Sequence, residues 1–266
     1  MANFREMARQ HLARAKAELA SNNPDRLRYT ALEVRFAMET ITYDRAYAYK
    51  DEIPPQEYST WQPRQVLDYL TQIDPNAALT STISVGREET YGVAPQRMTM
   101  IGTDFVLTIQ DLKKHYNAIG AYLHPPTLDK INDPSAHDPA RLRQRCEDCI
   151  GILERVLSSP VWNVTLGAFS EMTCERCGKL VRRRLNPNGK PAAAECFECG
   201  AAYTVEQTSD NVAWRPDVIR EPCPSQGCLE KATLWRDEVK PGTHWTCHGC
   251  GKSYEITLGI VPKATP

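Results

Sequence analysis

The chain has 266 residues, of which 41% are hydrophobic and 24% are charged, a composition typical of globular proteins. This length allows one large domain or two to three small ones. No stretch approaches the roughly 20 consecutive apolar residues of a membrane-spanning helix, so we expect no membrane span. The 32 Lys and Arg residues nearly balance the 33 Asp and Glu residues, which removes net positive charge as an argument for nucleic-acid binding.

The N-terminal segment is charged and lacks the apolar core of a secretory signal. We therefore expect a cytoplasmic protein. In that reducing compartment, paired cysteines bind metal more often than they form structural disulfides. The ten cysteines of the chain are accordingly candidate metal ligands before any spacing is considered.

Residues 1–158 predict a mainly α-helical domain. Apolar residues recur at three- and four-residue steps over residues 4–19, which is the spacing of a helix with one buried face. The Asn23–Pro24 pair has the residue types of an N-cap and a first turn, and the helix that it begins should end before Pro54. A short third helix is expected over residues 64–71.

Residues 79–107 contain two β-prone runs separated by turn signals, and they predict a small hairpin. The next helix begins after Thr108, because Thr108 and Asp111 have the spacing of a capping box. An apolar stripe continues from there to Leu123. The segment 125–139 is rich in Pro, Asp and Asn, and we expect it to be a loop.

A further helix should begin at Asp138, an N-cap residue followed by Pro, and run to about Leu157. Cys146 and Cys149 lie three residues apart on its apolar stripe. Buried free cysteines behave as small hydrophobic residues. We therefore favour core packing of this pair over a third metal site, for which no second pair remains.

Eight cysteines form two groups with nearly the same spacing. The first group is Cys174, Cys177, Cys196 and Cys199, and the second is Cys223, Cys228, Cys247 and Cys250. Zn²⁺ prefers four such ligands in a tetrahedron, and two cysteine turns brought together by a hairpin supply them. Three of the four turns are followed directly by Gly, which permits positive φ at the turn. Four cysteines per site predict two closed, structural zinc sites.

These segments resemble zinc ribbons, in which two β-hairpin turns clamp one metal, over residues 172–207 and 221–258. The second ribbon departs slightly, because its first turn has four intervening residues instead of two, still within the usual ligand spacing. His244 and His248 are either competing ligands or residues around the metal, and disulfides are the alternative to metal. The predicted fold class is multidomain, with a mainly α-helical N-terminal bundle and two small β zinc-ribbon modules.

The first predicted ribbon is basic, with six Lys and Arg residues against three Glu residues between Cys174 and Cys199. Candidate nucleic-acid contacts, in a strand that runs into a basic hairpin tip, are Arg182, Arg183, Arg184 and Lys190. The second ribbon has nearly balanced charge. Its aromatic residues, which either stack on bases or cover the metal, are Trp235, Trp245 and Tyr254. Docking to another protein is a further role open to such ribbons.

Two helical segments resemble the HEPN superfamily, residues 29–39 and residues 113–124. The resemblance implies a compact helical bundle, often dimeric, that cuts or binds RNA in toxin–antitoxin and anti-phage systems. The signature of the family is an Arg followed by a His after four to six residues, often with a polar residue directly after the Arg. Asn117 and His124 match the polar residue and the histidine, whereas Tyr116 stands in the position of the Arg.

A catalytic reading makes His124 a general acid or base, since its ordinary pKa lies near about 6.5. At about 100° per residue, Asn117 and His124 lie roughly 20° apart around a helix, and Lys113 lies roughly 40° from Asn117. Lys113 or Lys114 would stabilise the charge that develops during RNA cleavage. The alternative is that His124 only ends the helix and that Asn117 is solvated.

These features favour a zinc-binding protein that binds nucleic acid, preferentially RNA, in a bacterial defence or toxin–antitoxin system. The helical domain would form a homodimer, and an unknown protein partner is a further expectation. Two alternatives stay open. One is a metal-independent endoribonuclease of the HEPN type, and the other is a non-enzymatic adaptor that docks proteins through the ribbons. Two zinc ions are the expected cofactors.

Overall fold

In the computed structural model, the chain forms two compact units, Met1–Leu166 and Gly167–Pro266. The structure describes residues 3–21, 23–59, 62–90, 92–125, 128, 133, 138–208 and 211–259. The first unit is mainly helical, and the second consists of small antiparallel sheets. This layout confirms the predicted fold class. Among the described helices, none combines the length and the apolar character needed to cross a membrane.

The described α-helices of the first unit are α1 (Phe4–Ala20), α2 (Leu27–Ala48), α3 (Pro63–Ile73), α4 (Ile109–Asp111), α5 (Asn117–Gly120) and α6 (Pro139–Leu157). Asn23 caps a 3₁₀ turn that leads into α2, and Asp138 caps α6 by accepting a hydrogen bond from the N–H of Ala140. Both of these starts are predicted by the sequence. The end of α2 before Pro54 and the short helix α3 are also confirmed.

The centre of the helical unit is α2, because it packs against α1, α3 and α6. One buried apolar cluster includes Val34 of α2, Ala8 of α1 and Leu153 of α6. Cys146 and Cys149 belong to the same cluster and are 0% and 1% exposed. Burial raises the pKa of both thiols to about 12, so they stay protonated at neutral pH. Core packing of this pair is confirmed.

The predicted hairpin is present as β1 (Ser81–Val85) and β2 (Thr99–Asp104), which pair antiparallel with an irregularity between Ile83 and Ser84. Most of the predicted loop over residues 125–139 lies outside the described residues.

A buried ion pair connects α2 to the end of β2. Arg45 donates hydrogen bonds to Asp104 and to the carbonyl of Ala77, both at 2.9 Å. Asp104 also accepts from the N–H of Val164 at 3.1 Å. A buried charge that loses its partner is costly, so this network fixes the chain near residue 164 to the bundle. The spacing of residues in the sequence does not indicate this ion pair, because Arg45 and Asp104 lie on distant segments.

The helix expected after Thr108 begins as predicted but is not regular. Thr108 and Asp111 form both hydrogen bonds of a capping box. A π turn then spans Leu112–Tyr116, and a 3₁₀ turn spans Ala121–Leu123. These turns rotate successive residues by angles other than that of an α-helix. A single helical projection across this segment is therefore wrong.

The strands of the second unit are β3 (Phe169–Thr173), β4 (Leu180–Arg184), β5 (Ala192–Glu195), β6 (Ala202–Gln207), β7 (Val212–Pro216), β8 (Val218–Pro222), β9 (Lys231–Trp235), β10 (His244–Thr246) and β11 (Ser253–Glu255). They form the antiparallel sheets β3–β4, β5–β6–β7, β8–β9 and β10–β11. A small buried cluster includes Val181, Tyr203 and Val205, with Trp214 and Trp235 packed against it. This cluster is much smaller than that of the helical unit.

Candidate metal centres

The eight cysteines of the second unit converge into two clusters. Centre 1 is formed by Cys174, Cys177, Cys196 and Cys199, and centre 2 is formed by Cys223, Cys228, Cys247 and Cys250. Within each centre, the four Sγ atoms lie within 4.8 Å of one another. The structure thus brings together all of the metal ligands that the spacing predicts, in the predicted groups.

The Sγ separations fit a tetrahedral metal site. Between the two turns of centre 1, the separations are 3.7 Å for Cys174–Cys199 and 3.5 Å for Cys177–Cys196. The corresponding pairs of centre 2 are both 3.7 Å apart. Four thiolates about 2.3 Å from one Zn²⁺ ion would lie about 3.8 Å from one another. Both clusters therefore fit the predicted metal.

Two alternatives to all-cysteine centres disagree with this geometry. The Sγ separations exceed the disulfide bond length of about 2.05 Å, and all ten cysteines are free thiols. His244 and His248 are exposed, and neither belongs to the metal-ligating clusters found among the described residues.

Three of the four cysteine turns have the same backbone hydrogen bonds. In the turn that begins at Cys174, the N–H of Gly178 donates to the carbonyl of Cys174 at 2.9 Å, and the N–H of Cys174 donates to the carbonyl of Lys179 at 2.8 Å. The turns that begin at Cys196 and Cys247 repeat this pattern. The glycines at the ends of the three turns have φ values of 73°, 73° and 71°. The expected positive φ is confirmed.

The first turn of centre 2 is built differently, because it has two more residues. Its hydrogen bonds run from the N–H of Cys223 to the carbonyl of Glu230 at 2.8 Å and from the N–H of Cys228 to the carbonyl of Ser225 at 3.1 Å. Gly227, which precedes the second cysteine, has a φ of 80°. The longer turn still delivers both sulfur atoms to the cluster.

Aromatic side chains cover centre 1. Tyr203 is 2% exposed, and its hydroxyl lies 3.3 Å from the Sγ of Cys174. Trp214 and Trp235 contact Tyr203 edge-on, with ring centroids 6.0 and 5.4 Å away. Trp235 comes from β9 of the second ribbon, so the ribbons share part of one core. This position favours the metal-covering alternative for Trp235 over base stacking.

Centre 2 has a smaller aromatic cover. The Tyr254 hydroxyl lies 3.4 Å from the Sγ of Cys223 and 2.7 Å from the Oγ of Ser225. Trp245 stacks on Tyr254 with a centroid distance of 4.8 Å. Both rings are half-buried, so their mutual stacking leaves only part of each ring accessible.

Arg176 ties the two ribbons together. It lies in the first turn of centre 1 and donates to the carbonyl of Cys199 at 2.9 Å. It also pairs with Asp237 at 3.0 Å and with Glu238, in the short turn that follows β9. The sequence indicates Arg176 only as part of the positive charge of the first ribbon. Its partners lie 61 and 62 residues further along the chain, and spacing carries no signal at that separation.

The predicted basic hairpin tip is not formed, because β4 pairs with β3 and β5 pairs with β6. Arg182, Arg183 and Arg184 lie within β4, and Lys190 lies exposed beyond the turn that follows it. The guanidinium groups of Arg182 and Arg184 lie 4.1 and 4.6 Å from the ring of Phe169. Arg184 is only 8% exposed, so it packs within the unit. Arg182 and Arg183 are partly exposed.

The predicted catalytic residues of the helical unit are all exposed. Lys113 lies in the π turn, Asn117 begins α5, and His124 follows the 3₁₀ turn with extended backbone angles, φ −107° and ψ 154°. The calculated 20° between Asn117 and His124 is therefore wrong, since His124 lies outside the helix. Among the described residues, no hydrogen bond joins these three side chains.

A polar cluster lies close to these positions and involves Tyr116. Its hydroxyl donates to the carboxylate of Glu39, and the guanidinium of Arg35 lies 4.1 Å from its ring. Arg35 also lies against Gly120, where a Cβ atom would be 2.2 Å from Nη1. Burial, and then the hydrogen bond to Glu39, raises the pKa of Tyr116 to about 12. The residue in the position of the family's Arg is thus a neutral hydrogen-bond donor.

No protein-family model, no curated protein and no solved structure matches this chain. The zinc-ribbon resemblance agrees with the two cysteine clusters and their small sheets. The HEPN resemblance has no support beyond the presence of helices.

Proposed function

We propose that the second unit is a module folded around two structural Zn²⁺ ions. The observation that carries this proposal is the convergence of four Sγ atoms, within 4.8 Å of one another, in each centre. Zn²⁺ suits such a site, because structural zinc ions are held by four cysteine thiolates in a tetrahedron. Four cysteine ligands leave no open coordination position for a substrate, so the metals would hold the fold rather than perform catalysis.

Metal analysis of the purified full-length protein tests this proposal. We expect two zinc ions per chain, and Co²⁺ exchanged into the protein should show the absorption of a tetrahedral tetrathiolate site. The matched control is Cys146→Ala, which removes a thiol outside both centres and should leave two zinc ions bound. Fewer than two metals per chain, or a red iron-bound protein, would contradict the proposal.

We further propose that the β3–β4 hairpin contacts nucleic acid, with RNA as the first ligand to test. The Arg182 guanidinium rests 4.1 Å from the Phe169 ring, and the Arg182 side chain is 36% exposed. A partly exposed arginine suits a single strand, because its guanidinium contacts phosphate and the plane of the group stacks on bases. Arg183, on the opposite face of the strand, and Lys190, exposed beyond the turn that follows it, are two more cations of this segment.

Charge limits the size of this contact. Each Zn²⁺ ion with four thiolates carries a formal charge of about −2, since the cysteines bind in their deprotonated form. The basic and acidic side chains of the second unit nearly balance, so the metal-bound unit is negative overall. Contact with phosphate would therefore be local to the β3–β4 hairpin and the turn that follows it.

The test compares two charge-matched triple variants in their binding to fluorescent single-stranded RNA over a range of salt concentrations. The first variant combines Arg182→Ala, Arg183→Ala and Lys190→Ala. We expect weaker binding and a salt dependence shallower by about 2 in log–log slope, at about 0.7 for each lost phosphate contact. Arg184 is left intact because it is buried.

The control variant combines Arg220→Ala, Lys231→Ala and Lys240→Ala, which removes three cations from β8, β9 and the segment that follows them. We expect it to bind RNA like the wild-type protein. Equal losses in both variants would mean that only overall charge matters. No RNA binding by the wild-type protein at moderate salt would exclude this role and leave protein docking as the function of the ribbons.

A further inference from the structure

Each of the two centres has its own tyrosine at the same position relative to its cysteines, and metal binding by the cysteines does not by itself require that residue. In each ribbon, a tyrosine follows the last cysteine by four residues, on the strand that leaves the last turn. Its hydroxyl reaches back to the first cysteine of the same centre. The distances are 3.3 Å from Tyr203 to the Sγ of Cys174 and 3.4 Å from Tyr254 to the Sγ of Cys223. The same contact therefore occurs twice in one chain.

The neighbours of Tyr203 determine the direction of the hydrogen bond in centre 1. The N–H of Glu175 lies 3.0 Å from the Tyr203 hydroxyl oxygen, and a backbone N–H can only donate. The oxygen accepts that bond, which leaves its own proton to point at Cys174. A metal-bound thiolate carries negative charge, and hydrogen bonds to charged acceptors are the stronger ones.

In centre 2, Ser225 takes the place of the backbone N–H. Its Oγ lies 2.7 Å from the Tyr254 hydroxyl, and a serine hydroxyl is able to donate. If Ser225 donates, the tyrosine proton is left for Cys223, since the next nearest sulfur, that of Cys250, lies 4.0 Å away. With the serine proton on the tyrosine oxygen, Tyr254 would have the same orientation towards Cys223 as Tyr203 has towards Cys174.

The aromatic packing holds each hydroxyl in place. Tyr203 is in contact with Trp214 and Trp235, and Tyr254 is stacked on Trp245. A ring held by its neighbours loses little further conformational freedom when it forms the hydrogen bond. The contact is therefore a pre-formed part of each centre and not a chance approach of an exposed side chain.

We propose that Tyr203 and Tyr254 are positioning residues, each of which holds one metal-bound thiolate and slows the release of the metal from its own centre. The inference rests on the proposed zinc binding. A cysteine that swings away from the metal must first break the bond to the tyrosine. Loss of such outer partners weakens metal binding by about 10- to 100-fold in other metal sites.

Tyr203→Phe and Tyr254→Phe test the proposal, because each removes one hydroxyl and keeps the ring. Zinc release from the full-length protein to a chromogenic chelator gives the rate for each metal. We expect each variant to release one of its two zinc ions about 10-fold faster and the other at the wild-type rate. In the Co²⁺ form, the sulfur-to-cobalt charge-transfer band of one centre should move to lower energy. The control is Tyr29→Phe, which changes an exposed tyrosine of α2. It should alter neither the zinc release rates nor the cobalt spectrum.

The outcomes separate this inference from the proposed function. A wild-type protein that binds fewer than two metals contradicts the proposed zinc binding itself. A wild-type protein with two zinc ions, together with release rates and cobalt spectra unchanged in both tyrosine variants, overturns the inference alone. Faster release of both metals by either variant, with unchanged cobalt spectra, also overturns it, because that result describes a general loosening of the fold.

Discussion

Two cysteine pairs with the same spacing have different surroundings in the two units of this protein. Cys146 and Cys149 lie within α6 and are buried in an apolar core. Cys174 and Cys177 lie in a tight turn whose last residue, Gly178, has a φ of 73°, and their sulfur atoms meet a second pair. Two cysteines three positions apart therefore do not define a metal site on their own. The backbone between them and the presence of a second pair decide the role.

The same contrast extends to what stabilises each unit. The helical unit buries a continuous apolar cluster contributed by several helices. The ribbon unit buries a much smaller one, and cysteines of centre 1 form part of it. Small domains with little core generally depend on metals or cross-links. The two units should therefore respond differently to the same treatment.

Metal removal should have the largest effect, and only on the ribbon unit. A structural zinc site contributes about 10–16 kcal/mol of apparent binding free energy at neutral pH, which is comparable to the whole stability of a typical domain. We expect a strong chelator to unfold residues 167–266 and to leave the helical unit folded. Limited proteolysis of the treated full-length protein should yield a protected fragment that ends near residue 166, with its helical circular dichroism retained.

Restoring zinc after chelation is the control and should return resistance to proteolysis. Unfolding of both units upon chelation would show that the helical unit also depends on the metals. An intact ribbon unit without metal would show that its small sheets are sufficient by themselves.

Substitution of one cysteine from each pair should give the next largest difference. Cys174→Ser should cost the protein at least the metal of centre 1. Cys146→Ala should leave both metals bound and lower the unfolding free energy of the helical unit by roughly 1–2 kcal/mol, as expected for a small buried cavity. Metal content and urea unfolding of both variants measure these effects. Loss of zinc from Cys146→Ala would contradict a core role for that residue.

The sequence predicts the elements that depend on local signals. Thr108 with Asp111 marks a capping box, Asp138 marks the start of α6, and the cysteine spacing marks both centres, because each signal lies within a few residues or repeats. The sequence does not predict the partners of Arg176, which lie far along the chain in the second ribbon. It also does not predict the burial of Arg184 against Phe169. These depend on which strands pair, and pairing is set by tertiary structure.

The helix after Thr108 shows a second kind of limit. Its apolar stripe is correct, yet the π and 3₁₀ turns displace His124 from the expected face. Hydrophobic periodicity indicates that a segment is helical and which side is buried, but a change of helix type within it leaves little trace in the pattern. Site predictions that depend on the angular position of one residue are therefore less secure than predictions of the helix itself.

The pH response should separate the units further. Burial, followed by the hydrogen bond to Glu39, raises the pKa of Tyr116 to about 12, against about 10 in an unfolded chain. The folded state therefore holds this proton more tightly. The resulting stability is complete below about pH 10 and is lost as the pH rises towards 12. The ribbon unit should fail at the other end of the scale, since acid protonates the thiolates and releases the metals.

Urea unfolding of the helical unit between pH 9 and pH 12, compared between the wild-type protein and Tyr116→Phe, measures the alkaline effect. The variant should lose less stability over this interval, because it lacks the titrating hydroxyl. The same alkaline loss in both proteins would assign it to another group.

The smallest effect is also the sharpest test of the comparison, because one chemical change should have opposite signs in the two units. A Cβ atom at Gly178 or at Gly151 would meet no atom within 4 Å, so steric overlap with neighbours does not decide the result. Gly178 has a φ of 73°, and the left-handed conformation costs other residues about 1–2 kcal/mol. Gly151 lies inside α6, where alanine is favoured by about 1 kcal/mol. We therefore expect Gly178→Ala to speed zinc release from centre 1 and Gly151→Ala to raise the urea midpoint of the helical unit. If Gly178→Ala released zinc at the wild-type rate, metal retention would not depend on the left-handed conformation at the end of that turn.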